Sequence, residues 1–183
     1  MSDSILVILR QLQRARQIEA LQHTIDNHPE LGFCEKPDLA ACVALCQLNL
    51  GRSEEGNAAL AQVDAEALAG DAEALSDLAM AHVLIGQVEQ GLSFLKQATA
   101  SPAHCPAIAY QRLASVLLLL NQLEPAASAF EESLRRDPNH PESLSNLGGL
   151  YFRIGDLEAA LNTYDRAIAL KPTLAQEATG QQR

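Results

Sequence analysis

An all-α chain of stacked antiparallel helix pairs is predicted by three observations. Apolar residues make up 48% of the 183, yet aromatics are only 4% and Trp is absent. The core must therefore be built from Leu, Ala, Ile and Val, and Ala and Leu favour helix while strand formers are thin. Apolar positions recur at i, i+3, i+4 and i+7, the period of a one-faced helix. The same order of large and small residues then returns five times, which points to a solenoid and not to a single globule.

The first unit is the most worn. Ile5, Ile8, Leu9 and Leu12 precede Ile18, Leu21 and Ile25, and Pro29 cuts its second helix short. In the second, Ala40, Val43, Ala44 and Gln47 lead to Gly56, Leu60 and Val63. In the third, Leu75, Leu78, Ala79 and His82 lead to Gly91, Leu95, Ala98 and Pro102. The fourth runs from Tyr110, Leu113, Ala114 and Leu117 to Ala126, Phe130, Ser133 and Pro138. The fifth runs from Leu144, Leu147, Gly148 and Tyr151 to Ala160, Tyr164, Ala167 and Pro172. Starts at Ser2, Pro37, Ala72, Ala107 and Pro141 give spacings of 35, 35, 35 and 34.

Each recurring type has a physical reason. Small residues stand where the two helices of a pair, A and B, cross closely, because a larger side chain would force the axes apart at about 1–3 kcal/mol. Tyr151, Tyr164 and Phe130 are expected to fill the wedge between one pair and the next. Gly51, Gly86 and Gly155 close helix A in the left-handed conformation, with Asn121 in that place in the fourth unit. Proline ends helix B at Asp137-Pro138 and Lys171-Pro172, while Pro125 falls in a first helical turn, where a missing N–H costs little.

These residues resemble the tetratricopeptide repeat, whose 34-residue signature has a large residue, Leu-Gly, Tyr, then Ala, an aromatic and Pro. The resemblance implies a right-handed superhelix of five repeats, the first degenerate, spanning 2–36, 37–71, 72–106, 107–140 and 141–174. Residues 175–183 are then a short tail or partial capping helix of one continuous domain. It also implies a protein-interaction scaffold whose concave groove is lined by A-helix residues. By phase these include Ala41, Leu45 and Leu48; Ser76, Asp77, Met80 and Val83; Gln111, Arg112, Ser115 and Leu118; and Ser145, Asn146, Gly149 and Phe152, with Arg153 beside them. The apolar members form a track for a partly apolar peptide or helix. The alternative for each is that it points at a neighbouring helix and belongs to the core. Family members that clamp a C-terminal carboxylate present Lys and Asn on successive A helices. Here Ala41, Leu45, Asp77 and Ile108 stand in those places, and only Arg112 fits.

Other function classes find little support. Thirteen basic against 23 acidic residues give a net charge of −10, which repels nucleic acid and anionic lipid. No apolar run approaches the ~20 residues needed to cross a bilayer, and the start lacks a signal-peptide pattern, so a cytoplasmic protein is expected. No nucleophile elbow, phosphate-binding loop or paired metal-ligand motif occurs; neither catalysis, nor a metal, nor a cofactor is expected. Cys42 and Cys46 share a helix face but lack the further ligands a metal would need, so they and Cys34 and Cys105 read as small reduced hydrophobes. His28 and His140, each before Pro-Glu, read as turn residues, and adjacent His104 and Cys105 cannot readily face one another. Two further expectations concern assembly. The rival to a scaffold that acts alone is that the chain is the N-terminal arm of a larger enzyme of transferase, methyltransferase or hydroxylase type, as such repeats are in bacterial proteins of similar style, and a third reading is that a terminal repeat forms a homodimer.

Overall fold

The computed structural model describes residues 2–101 and 105–170, and every regular element among them is helical. Pro102, His104, Pro172 and the expected cap after it lie outside the described residues. The chain divides into two compact units, residues 1–105 and 106–183.

The first unit contains α1 (Ser2–Arg14), α2 (Ile18–Asp26), α3 (Pro37–Asn49), α4 (Ser53–Leu60), α5 (Ala72–Leu84) and α6 (Val88–Thr99). Consecutive helices pair, and α3 packs against both α1 and α5. Every residue of α3 from Leu39 to Gln47 is buried. Gln47 is the single polar residue in that run, and a helix apolar on all sides must be surrounded. Its Ala40, Ala41, Ala44 and two cysteines are small enough for neighbours to close in. Leu6, Leu9, Leu21, Ile25, Leu39, Val43 and Leu45 share one buried cluster.

The first helix departs from its expected register. Ile8, expected in the core, is 44% exposed, whereas Leu6 is 9% exposed. The buried side of α1 is thus turned toward Leu6 and Leu9. A second departure follows α4, which ends at Leu60 and leaves Val63 outside the helix. The connection instead forms a 3₁₀ turn, Glu66–Leu68, in which Asp64 accepts from Glu66 N and Leu68 is buried. Another 3₁₀ turn, Pro29–Phe33, follows α2 at the proline expected to shorten it.

The second unit contains α7 (Ala107–Leu119), α8 (Leu123–Arg136), α9 (Pro141–Ile154) and α10 (Leu157–Leu170). Here the pairs are joined through α8 and α9. Phe130 is fully buried, and Ser133 Oγ lies 2.9 Å from Ser143 Oγ while also donating to the Ala107 carbonyl at 2.9 Å. Buried hydroxyls are tolerated because both are satisfied. His140 closes this chain of bonds by accepting from Ser143 N at 3.2 Å at the start of α9, which is a structural task for a turn histidine. Left-handed backbone occurs at Gly51, Gly86, Asn121 and Gly155, the expected helix-A ends. It also occurs at Arg16 between α1 and α2, where a side chain makes it costly.

Candidate functional site

The A-side helices α3, α5, α7 and α9 place the expected groove residues in two different settings. In the first unit Leu45 is buried in the apolar cluster and Asp77 is fully buried. Neither presents a free surface, because α3 is enclosed and Asp77 is engaged by α1. Arg10 Nε donates to Asp77 Oδ2 at 2.9 Å, and Arg10 Nη1 lies 3.4 Å from Glu73 Oε2. Ala41 and Ser76 are likewise covered, with Ser76 Oγ donating to the Glu73 carbonyl. Leu48, Met80 and Val83 are half-buried. Leu48 lies over Gly56 and Val83 over Gly91, so close that a Cβ on either glycine would stand 2.6 Å from Leu48 Cγ or 2.5 Å from Val83 Cγ2. These two side chains lock helix A onto helix B of their own pair.

In the second unit the corresponding face is more open. Gln111, Arg112, Ser115 and Leu118 on α7 are half-buried, as are Ser145, Asn146 and Gly149 on α9. Gln111 Nε2 donates to Ser115 Oγ at 3.1 Å, which fixes two polar groups one turn apart. Gly149 leaves room for the Tyr164 hydroxyl, which would stand 3.2 Å from an added Cβ. Phe152 is 64% exposed. Beside it, exposed Arg153 donates from Nη2 to Asn121 Oδ1 at 2.9 Å, tying the end of α9 to the α7–α8 turn. An exposed aromatic ring on the same helical turn as a guanidinium that is already held in place suits recognition, because little rotamer freedom is lost on contact.

Several exposed residues escaped the phase argument. Leu119, adjacent to Leu118, is exposed to the same degree as Phe152, and Ile154 is exposed beside Arg153. They fall at the last turn of their helices, where the i, i+3, i+4 pattern has run out. On α10, Leu157, Leu161 and Ile168 are exposed, with half-buried Tyr164 between them. Their steps of four, three and four place them on one helical stripe.

Local electrostatics are mostly structural. Arg136 stacks over the Tyr110 ring at 4.5 Å and donates to Glu132. Burial, aided by a hydrogen bond from its hydroxyl to Glu131, raises the Tyr151 pKa. His82 pairs with Gln87 and packs its ring on Phe94, as expected of a packing residue with a polar tip. The bond with Cys46, then burial, pushes the Cys42 thiol well above its ordinary pKa. Among the described residues no three His, Cys, Asp or Glu side chains are grouped to hold a metal ion, and no helix is long and apolar enough to cross a membrane.

Residues 112–175 match the family model described as "Tetratricopeptide repeat". No curated protein sequence matches the chain. Among solved structures, the chain is similar to a thermophilic tetratricopeptide-repeat protein of Thermus thermophilus, at 24% identity and a TM-score of 0.66, covering 94% of this chain and 92% of that one. PilF of Pseudomonas aeruginosa is similar at 18% identity and a TM-score of 0.63, over 99% of this chain and 86% of that one. MamA is similar at 18% identity and a TM-score of 0.62, over 87% and 89%. At these identities the likeness is one of fold.

Proposed function

Since residues 112–175 match the tetratricopeptide-repeat model and the chain shares the fold of solved tetratricopeptide-repeat proteins, we propose that it is a non-catalytic scaffold which holds a partly apolar peptide or helix on the A-side face of its second unit. The observation carrying this reading is Phe152, a large ring left in solvent beside Arg153 on a well-packed helix. Folding alone favours burying such a ring, by about 1.5–3 kcal/mol. Leu118, Leu119, Gln111, Arg112, Ser115 and Asn146 supply the apolar and polar surroundings a peptide would meet.

The test is capture of a partner from the source organism by the wild-type chain and by Phe152→Asp, with circular dichroism as a folding control. Loss of the partner at unchanged helicity supports the reading; retention of the partner by the variant overturns it. A second reading, self-association through a terminal pair, draws on the α10 stripe. Its steps of four and three are those of a self-complementary helical seam. Light scattering of the wild type and Leu161→Lys decides it. A dimer that the substitution dissolves supports this reading, and a wild-type monomer at micromolar concentration removes it. In that second case, the stripe is available to a following domain, as the enzyme-arm reading requires.

A further inference from the structure

Single exposed apolar side chains are ordinary, but in the second unit they are gathered. Of the eleven large apolar side chains exposed among the described residues, six lie between 152 and 170. Phe152 and Ile154 end α9, and Leu157, Leu161 and Ile168 run along α10. Leu161, one place after the small crossing residue Ala160, is 64% exposed, whereas Leu92, one place after Gly91 on α6, is 6% exposed. The α10 stripe is thus a surface that the repeat covers elsewhere. The two groups carry opposite charge at their edges. On α10, Glu158 and Asp165 stand seven residues apart on one side of the stripe, about 10 Å along the axis, and Arg166 falls on the opposite side of the helix. Both acids are exposed, and neither is ion-paired among the described residues. Arg153 shares a turn with Phe152, and its guanidinium is held by a neutral amide, Asn121 Oδ1, at 2.9 Å, so its charge is oriented without being cancelled. Arg112 and Arg153 are the basic residues of α7 and α9, whose single acid, Glu142, lies at the far end of α9. A chain of net charge −10 thus keeps a locally basic apolar face.

We infer that the A-side face around Phe152 and Arg153 takes the α10 stripe of a second copy of this chain, with Glu158 of one copy set against Arg153 of the other. This rests on the reading of that face as a binding surface and names its occupant. Apolar matching alone would admit many helices. The charged edges select this one, because a carboxylate edge on a guanidinium edge attracts and like edges repel. Since α9 and α10 are consecutive, two copies related by a two-fold axis each give a stripe and take one, which closes a dimer. An antiparallel α10–α10 seam, by contrast, brings both acidic edges to the same side, where they repel. A contact built on so few side chains belongs to the weak end of interfaces, so the face is open in the dilute monomer. The dimer and an outside partner compete for one face, which makes chain concentration a regulator of binding.

The experiment follows the mass of the full chain by analytical ultracentrifugation at micromolar concentration, with circular dichroism confirming that each variant is folded. Wild type should be a dimer that dissociates on dilution. Phe152→Asp and Leu161→Lys should each be monomeric. An equimolar mixture of the two should recover the dimer, since one of its contacts is whole and the other sets an aspartate against a lysine. Arg153→Glu should weaken the dimer by about tenfold or more, and Arg153→Glu/Glu158→Arg should restore it. Both of these positions are exposed, and they decide the matter if an apolar variant does not fold. A monomeric wild type would overturn the inference, as would a mixture that stays monomeric or an Arg153→Glu dimer as tight as wild type. So would a Phe152→Asp that remains dimeric while Leu161→Lys does not, the mark of an α10–α10 seam. A wild type that stays monomeric, yet captures an outside partner that Phe152→Asp loses, would sink the dimer and leave the reading of the face intact.

Discussion

The two units use the same helix pair but spend its A-side differently. In the first, α3 is enclosed on every side, and α1 reaches past it with Arg10 to the buried Asp77 of α5. In the second, α9 buries one face, through Leu144, Leu147, Gly148 and Leu150, and leaves Phe152 and Ile154 in solvent. The difference begins in composition. Helix α3 is built from Ala, Cys, Val and Leu on all sides, whereas α9 alternates apolar residues with Ser, Asn and Arg. A helix without a polar face gathers neighbours until nothing is exposed, and one with a polar face stops at a single layer. The lesson is that equal positions in a repeat carry unequal roles, set by what the rest of the helix can tolerate.

The largest expected contrast is between matched aspartate substitutions. Leu48→Asp places a carboxylate over Gly56 in the packed A–B crossing and should cost about 2–4 kcal/mol. Phe152→Asp, at the equivalent repeat position but in solvent, should change stability by no more than about 0.5 kcal/mol. Chemical denaturation of both variants checks this, and similar losses would erase the distinction between the units.

Next in size is the pair of glycine crossings. An added Cβ at Gly91 would meet Val83 Cγ2 at 2.5 Å and the Ala79 carbonyl oxygen at 2.7 Å, and the backbone atom cannot move aside. Gly91→Ala should therefore cost about 2 kcal/mol. At Gly148 the nearest atoms are ring carbons of Tyr164 at 3.1 Å, which can give slightly. Gly148→Ala gains about 1 kcal/mol in helix propensity against that strain and should stay within about 1 kcal/mol of wild type. Thermal unfolding of the two variants separates them.

The smallest effect concerns the helix-A ends. Arg16 occupies the left-handed region at φ 52°, where the second unit has Asn121 at φ 58° and the other pairs have glycine. Arg16→Gly should stabilise α1 and α2 by about 0.5 kcal/mol, the relief of backbone strain being partly offset by greater freedom in the unfolded chain. Slower hydrogen exchange at Leu9 and Leu21 amides would register it, and faster exchange would contradict it.

Much of the fold was legible because each repeat position has its own steric reason. Gly51, Gly86, Asn121 and Gly155 marked turns by backbone conformation, and the small residues at Gly91 and Ala160 marked crossings by size. The register of α1 was not legible. Ile5 to Leu9 is an unbroken apolar run, and five apolar residues in succession favour no face of a helix. The pairing of Arg10 with Asp77 was hidden for a different reason, since the partners are 67 residues apart and no local pattern links them. For the candidate site, phase alone found Phe152 and Arg153 but gave Leu45 and Asp77 the same standing. Phase tells which side of a helix a residue occupies and says nothing of what a distant helix lays over that side. The all-apolar character of α3 was the available signal that Leu45 would be covered.

The most direct test of a covered first unit and an open second one is a comparison of thiol reactivity at one A-side position in each. Leu45→Cys and Phe152→Cys are made in the full chain, and the labelling rate of each introduced cysteine is followed by mass spectrometry under native conditions. The structure predicts that Phe152→Cys reacts at least a hundredfold faster than Leu45→Cys. Comparable rates, with both variants folded, would contradict the division on which the functional reading rests.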